Sequence, residues 1–338
     1  QAVWDVHDNA PLASERRLHE QRPQGTRRRI RRVFLAVGPL PLTDVEKWFA
    51  RAATAVLLLG ARRMQGVERV LLTESRQFSA SASAKAAVVS HIFAAHPDVV
   101  GITFAASPFC SLVSTGRADS GLCVDSGWSS TRITPVFGGV IVQGGEKCAA
   151  VGGFHVARAL AEATGLPVQE AVSMLIAGEG PPLYPDPDAA DNSGSTAFTL
   201  PDGTTISVDN LVPSVDALCF GDPGICTATR DAIDGCDGTA RHIVRDLRNN
   251  MVLVGGNTLP DCFTESFTTH FRETAPHHPQ AEIFAPAAEF RGFAAWKGAA
   301  AVSRLTGEWI SRQNVEEAGA ERAVADHALR NAAWAPWG

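Results

Sequence analysis

Apolar runs stopped abruptly by glycine turns constrain this 338-residue chain more than any other feature. Leu122-Cys123-Val124 runs into Asp125-Ser126-Gly127, and Met251–Val254 runs into Gly255-Gly256-Asn257-Thr258. A third turn, Gly144-Gly145, follows the run 139–142. Short β-prone runs bounded by glycine read as strands, and Val67–Thr73, Val99–Phe104 and Arg132–Phe137 share that texture. Between them lie stretches of helical spacing. Leu42, Val45, Trp48, Phe49 and Ala52 form one, with Thr43 or Asp44 as its cap. Lys85–Ala95, Pro108–Val113, Gly153–Thr164, Val168–Ile176 and Ala240–Leu247 form others, and Ala294–Leu305 and Val315–Asn331 close the chain. Phe198–Val208 carries Pro201-Asp202-Gly203 between two β-prone runs and predicts a hairpin. Gly178–Ser195, rich in Pro, Asp, Gly and Ser, predicts a loop. Strands alternating with helices give an α/β fold with mixed sheets.

Composition narrows the function. Apolar residues at 45% suffice for a sizeable core, and a net charge of −6 draws the chain neither to nucleic acid nor to anionic lipid. Residues 1–33 are polar and without periodicity, an arm or linker whose sharpest feature is Arg27, Arg28, Arg29, Arg31 and Arg32. No apolar run approaches the roughly 20 residues of a membrane span. The cysteines at 110, 123, 148, 219, 226, 236 and 262 form no CxxC pair and no cluster with histidine. That pattern speaks for reduced core thiols in a reducing compartment and against a zinc site. His277-His278 stands in a proline-flanked loop and reads as a surface pair without a role.

The turns after the apolar runs are where chemistry is possible. Asp125 at a strand end is costly to bury unless it is paired or holds the water shell of a metal ion, and Gly127 lets backbone amides approach a phosphate. Gly255-Gly256 exposes bare backbone to a flat ligand. An ordinary turn accounts for either motif taken alone. The sequence contains no GxSxG, HExxH, P-loop or helix-opening GxGxxG, so a conventional hydrolase or Rossmann oxidoreductase has little support.

In order along the chain, several segments resemble the actin family. Asp44-Val45-Glu46-Lys47-Trp48 is similar to that family's DDMEK helix start, and Val67–Glu74 resembles its segment around VLLTE. Cys110–Arg117 followed by Val124-Asp125-Ser126-Gly127 resembles LSLYASGR and the MDSG phosphate loop. Thr199–Gly203 resembles ELPDG, and Asp246–Thr258 resembles DLYANTVLSGGTT. Ala295–Gly298 and Glu308–Glu317 are similar to VWIGG and MWISKQEYDE. The likeness runs colinearly from about residue 34 to 320.

The resemblance implies a two-lobed actin-like α/β fold, with sheets flanked by helices and a nucleotide cleft between the lobes. Residues 34–114 and 290–338 would form the first lobe, and 115–151 with 221–289 the second. Residues 152–220 would be a shortened outer subdomain of the second lobe, and 1–33 a divergent arm or remnant of the small outer subdomain. If ATP or ADP with Mg²⁺ is bound, Asp125 and Gly127 would form the second phosphate loop, with Asp125 holding the metal through water. Gly255 and Gly256 would form the adenosine platform.

Departures from the family pattern argue against turnover. Where actin continues DSGDG, this chain has Trp128-Ser129. The water-positioning Gln aligns with Ser107, its assisting His with Arg132, and an Asp in the helix entering the second lobe with His155. The Lys-Glu pair that holds adenosine aligns near Ile176 and Ala177, and Leu259-Pro260 replaces an aromatic. The first phosphate loop is not recognisable in residues 1–33; it is either lost or lies outside this sequence. No catalytic residue is expected. The resemblance thus implies a non-polymerising structural subunit, with protein partners in a cytoskeletal setting such as an axonemal or dynactin-like assembly. The alternatives are an ATP-bound clamp or slow switch, and a nuclear subunit of a chromatin-remodelling complex.

Overall fold

Two mixed sheets organise the computed structural model, which describes residues 34–36, 68–74, 81–116, 119–177, 180–185, 197–199, 203, 205–207, 210–236, 238 and 241–333. The first sheet runs β1 (Phe34–Ala36), β2 (Arg69–Glu74), β3 (Gly101–Ala106), β12 (Ile310–Ser311). Its first three strands are parallel, and β12 closes the edge antiparallel to β3. The second sheet is ordered β11 (Ile283–Phe284), β10 (Met251–Val254), β4 (Gly121–Ser126), β5 (Thr131–Phe137), β6 (Val140–Ile141), with β7 (Lys147–Ala149) also on β5. Here β11, β10 and β4 are parallel and β5 turns back against β4. β8 (Ala197–Thr199) and β9 (Thr205–Ser207) form the expected hairpin, its tip at 201–202 outside the described residues.

Each sheet buries apolar faces under helices. On the second sheet, Tyr184, Phe220, Phe263, Phe267 and Phe271 pack with Leu122, Val124 and Leu253. On the first, Val70, Leu72, Ile102 and Phe104 meet Val89, Ile92 and Phe93 of the Ala82–Ala95 helix and Ala323 and Val324 of the C-terminal helix. Arg312 locks that junction. Its guanidinium donates to the carbonyls of Phe93, His96 and Val99 at 2.8–3.2 Å and stacks over Phe93, tying it to the end of the Ala82–Ala95 helix and the turn after it.

Between the sheets lie the Ser107–Val113 helix, leading from β3 into β4, and the Ala294–Leu305 helix packed on it. Leu71, Ala105, Cys110, Ala299 and Val302 bind this pair to the first sheet; Leu112, Cys123, Val136, Val254 and Ala294 bind it to the second. The backbones meet at Gly298, where an added Cβ would overlap the carbonyl oxygen of Cys110. A second internal contact is polar: Lys85 Nζ lies 2.6 Å from Glu74 Oε2 and over the Phe104 ring, both side chains nearly buried.

Most expected elements are present within a few residues. The single closing helix over Val315–Asn331 is instead two, Arg312–Ala318 and Ala320–Ala333, separated at Gly319 with φ +80°. The interval at 308–313 holds β12. The helices Leu211–Phe220, Ile225–Asp234 and Phe263–Thr274, with β7 and β11, were not anticipated. The helix expected over 42–52, the arginine run at 27–32 and most of the loop at 178–195 lie outside the described residues. No helix among the described residues is long and apolar enough to cross a membrane. Five of the seven cysteines are buried, Cys262 is half-buried and Cys148 exposed, and all are free thiols. Burial pushes the thiols of Cys110, Cys123 and Cys226 well up, and that of Cys219 to about 11, so they stay protonated and unreactive.

Candidate functional site

At the carboxyl edge of the parallel pair β4 and β10, the two glycine turns come together. The register pairs Val254 with Asp125, so the Asp125-Ser126-Gly127 turn and the Gly255–Thr258 turn leave the sheet side by side. Carboxyl edges of parallel strands are where open α/β sheets hold ligands. Gly255 has φ +96°, and a Cβ there would sit 2.6 Å from Asp125 Oδ1 and overlap the Ser126 carbonyl oxygen. Only glycine satisfies both the conformation and the approach. Arg291 pins the turn from behind: its carbonyl accepts from Gly255 N and its guanidinium donates to Thr258 O at 2.6 Å.

A directed chain of hydrogen bonds fixes the two turns together. Asn257 Nδ2 donates to Ser126 Oγ at 2.9 Å, and Thr131 Oγ1 donates to the Val151 carbonyl at 2.9 Å. The 2.7 Å contact between Ser126 Oγ and Thr131 Oγ1 must therefore use the serine proton, since the threonine proton is already engaged. All three side chains are buried.

The loop after Asp125 folds back on itself. Gly127 N donates to Ser130 O at 3.1 Å, while the carbonyls of Gly127 and Trp128 accept from Gly153 N at 2.9 Å and Phe154 N at 2.8 Å. Gly153 and Phe154 open the Gly153–Thr164 helix, so the loop saturates amides that at a free helix start would attract an anion. Gly152 N donates to His155 Nδ1 at 3.3 Å, which leaves the other imidazole nitrogen to carry any proton of the neutral ring. The Trp128 ring lies edge-on to Phe154, centroids 5.7 Å apart, against the Gly153 backbone and nearly half exposed.

Asp125 faces Arg132 across β4 and β5. Burial raises the carboxyl above its ordinary range, with the Arg132 charge opposing that shift. Asp125 is half-buried, and the buried Nε of Arg132 has no hydrogen-bond partner among the described residues. A carboxyl whose folded pKa is raised binds more protons folded than unfolded, so it costs stability as pH rises through and above the carboxylate range. Asp125→Asn is therefore expected to raise the Tm at pH 7, and the gain should vanish in melts near pH 3, where the aspartate is neutral in both states.

The other aligned positions are spread around this edge. Ser107 opens the Ser107–Val113 helix at the end of β3, and His155 sits in the first turn of its helix. Ile176 and Ala177 end the Val168–Ala177 helix, their side chains outside the described part. A cluster with no sequence signal joins Asp234, at the end of the Ile225–Asp234 helix, to His277 and His278.

Comparison with known proteins agrees with the geometry. The actin family model matches residues 59–174 and 168–327. Bovine actin-like protein 9 is 26% identical over 230 residues, covering 62% of this chain and 54% of that protein. Actin-related protein 4 of Arabidopsis thaliana is 23% identical over 285 residues, covering 66% of this chain and 64% of that protein. The chain thus spans between half and two thirds of the length of these relatives. With the strand order, the paired glycine turns and the matched span in agreement, the chain belongs to the actin family.

Proposed function

We propose that this chain is a structural subunit of a larger cytoskeletal protein assembly, non-polymerising, with a nucleotide site too reduced for efficient ATP hydrolysis. The main support is the engagement of the backbone amides beside Asp125. Gly127 N is held by Ser130, and Gly153 N and Phe154 N by the loop's own carbonyls. At Gly127, Gly153 and Phe154 a phosphate would displace bonds already made, each worth about 1 kcal/mol net, rather than meet open donors. The residues present therefore fit a phosphate poorly. Positioning of an attacking water has also lost its side chains, with Ser107 and Arg132 where the family pattern has Gln and His. Family membership supports the cytoskeletal setting, for which an axonemal or dynactin-like complex is the finer form of the proposal.

Chromatography of the supernatant after acid denaturation tests the reading. The expected result is less than about a tenth of a mole of adenine nucleotide per mole of protein after purification in Mg·ATP; the Kd this implies is weak enough for exchange to empty the site. A stoichiometric ATP or ADP peak overturns it. A second reading, ATP with Mg²⁺ as a clamp, is favoured by one pair of groups. Asp125 stands half-buried at the strand end, where it could hold a metal's water shell, and the buried Nε of Arg132 has no acceptor among the described residues.

A further inference from the structure

We propose a second site, away from the Asp125 edge, at which Asp234, His277 and His278 hold a late first-row divalent cation, zinc foremost. His277 Nε2 and His278 Nε2 lie 3.2 and 2.9 Å from the same oxygen, Asp234 Oδ1. The three donor atoms all fall within 4.8 Å of one another. Zinc bonds of about 2.0–2.1 Å in tetrahedral geometry set ligand atoms about 3.3 Å apart. Both separations from Asp234 are near that edge and the two imidazole nitrogens lie within 4.8 Å of each other, so a cation would enter with shifts of about an ångström or less in the donors.

The surroundings hold these donors in place beforehand. His277 and His278 stand between Pro276 and Pro279, whose rings fix the backbone torsion on either side. The turn is closed by His278 N donating to Ala275 O at 2.9 Å and Ala281 N donating to His278 O at 3.1 Å. Asp234 is the last residue of the Ile225–Asp234 helix, where the aligned peptide dipoles add negative potential that favours a cation. Its second oxygen faces Arg230 at 4.0 Å, which leaves Oδ1 to the imidazoles.

Hydrogen bonding alone leaves this cluster under-compensated. One carboxylate oxygen would serve two imidazoles, and His278 is only 7% exposed with its Nδ1 buried and without a partner among the described residues. A cation seated among the two Nε2 atoms and Oδ1 would bond all three at once, with each neutral ring's proton then carried on its Nδ1. Two imidazoles and a carboxylate select zinc or its neighbours over magnesium and calcium, which prefer oxygen ligands. His277 is half exposed, so a fourth position opens to solvent for water. The ion would tie the end of one helix to the loop at 276–279.

The test uses the full chain stripped with chelator and titrated with zinc chloride alone, read by calorimetry and by thermal melts. One zinc per chain and a rise in Tm are expected. His277→Ala, at a half-exposed ring, should weaken binding at least about tenfold and abolish the rise in Tm on adding zinc, each variant compared with its own metal-free melt. Cobalt titration should give the visible bands of a four-coordinate ion without thiolate charge-transfer absorption. His278→Ala is a useful second variant if it folds; if it does not, His277→Ala alone decides. Failure of wild-type chain to bind zinc at about 10 µM overturns the proposal. Unchanged affinity in His277→Ala, or thiolate bands with cobalt, also overturns it by placing the ion elsewhere, such as at the exposed Cys148.

Discussion

Gly298→Val is expected to lower stability by more than about 3 kcal/mol, or to prevent folding, measured as the midpoint of urea unfolding with soluble yield as the second readout. At this position the Ala294–Leu305 helix touches the Ser107–Val113 helix backbone to backbone, and any Cβ would occupy the space of the Cys110 carbonyl oxygen. A flexible side-chain tip can swing aside; a carbonyl inside a helix cannot move without disturbing its hydrogen bond. The two helices must separate, and separation loosens contacts to both sheets at once, through Ala299 and Val302 on one side and Ala294 and Leu112 on the other. Gly307→Ala is the matched control, because a Cβ there meets no atom within 4 Å. Its midpoint should stay within about 0.5 kcal/mol of the parent. Equal effects for the two substitutions would show that the close approach at 298 does not bear on stability.

The second large effect lies in the first sheet. Lys85→Ala is expected to cost about 3–5 kcal/mol, because it leaves the Glu74 carboxylate in a nearly buried position without its cation. Removing both charges together, in Lys85→Met with Glu74→Gln, should recover at least half of that loss, since the desolvation of two ions disappears with their attraction. Urea titrations of the two variants and the parent close the comparison. A double variant as unstable as Lys85→Ala alone would locate the loss in the packing of Lys85 over Phe104 rather than in an uncompensated charge.

Much of the architecture was legible in the sequence because the sheets are built from continuous apolar runs. Gly121–Ser126, Gly101–Ala106 and Met251–Val254 are buried along nearly their whole length, and such runs announce themselves without knowledge of their neighbours. The Ile225–Asp234 helix did not, since Ile225-Cys226-Thr227-Ala228-Thr229 sets a single alanine among β-branched residues and a cysteine of weaker helical preference. Packing of Ile225, Cys226, Ala232 and Ile233 into the second core holds it helical. The break at Gly319 was hidden by helical spacing that continues on either side of it.

The site was legible in part for a different reason. Asp125 and Gly255 carry their meaning in residue type, a carboxylate and a backbone that tolerates φ +96°. The bonds from Gly153 N and Phe154 N to the loop involve only backbone atoms, which any residues supply, so no pattern of side chains signals them. The cluster around Asp234 was invisible because His277 and His278 lie 43 and 44 residues away along the chain.

The hydrogen bonds around the Asp125 turn have a mechanical consequence. The loop at 127–130 is bolted to the start of the Gly153–Thr164 helix through Gly127 and Trp128, and the Gly255–Thr258 turn to β4 through Asn257. Loop, helix start and turn are therefore tied to one another, and moving one of them relative to the rest breaks hydrogen bonds. Any opening of the molecule along this edge has to be taken up elsewhere.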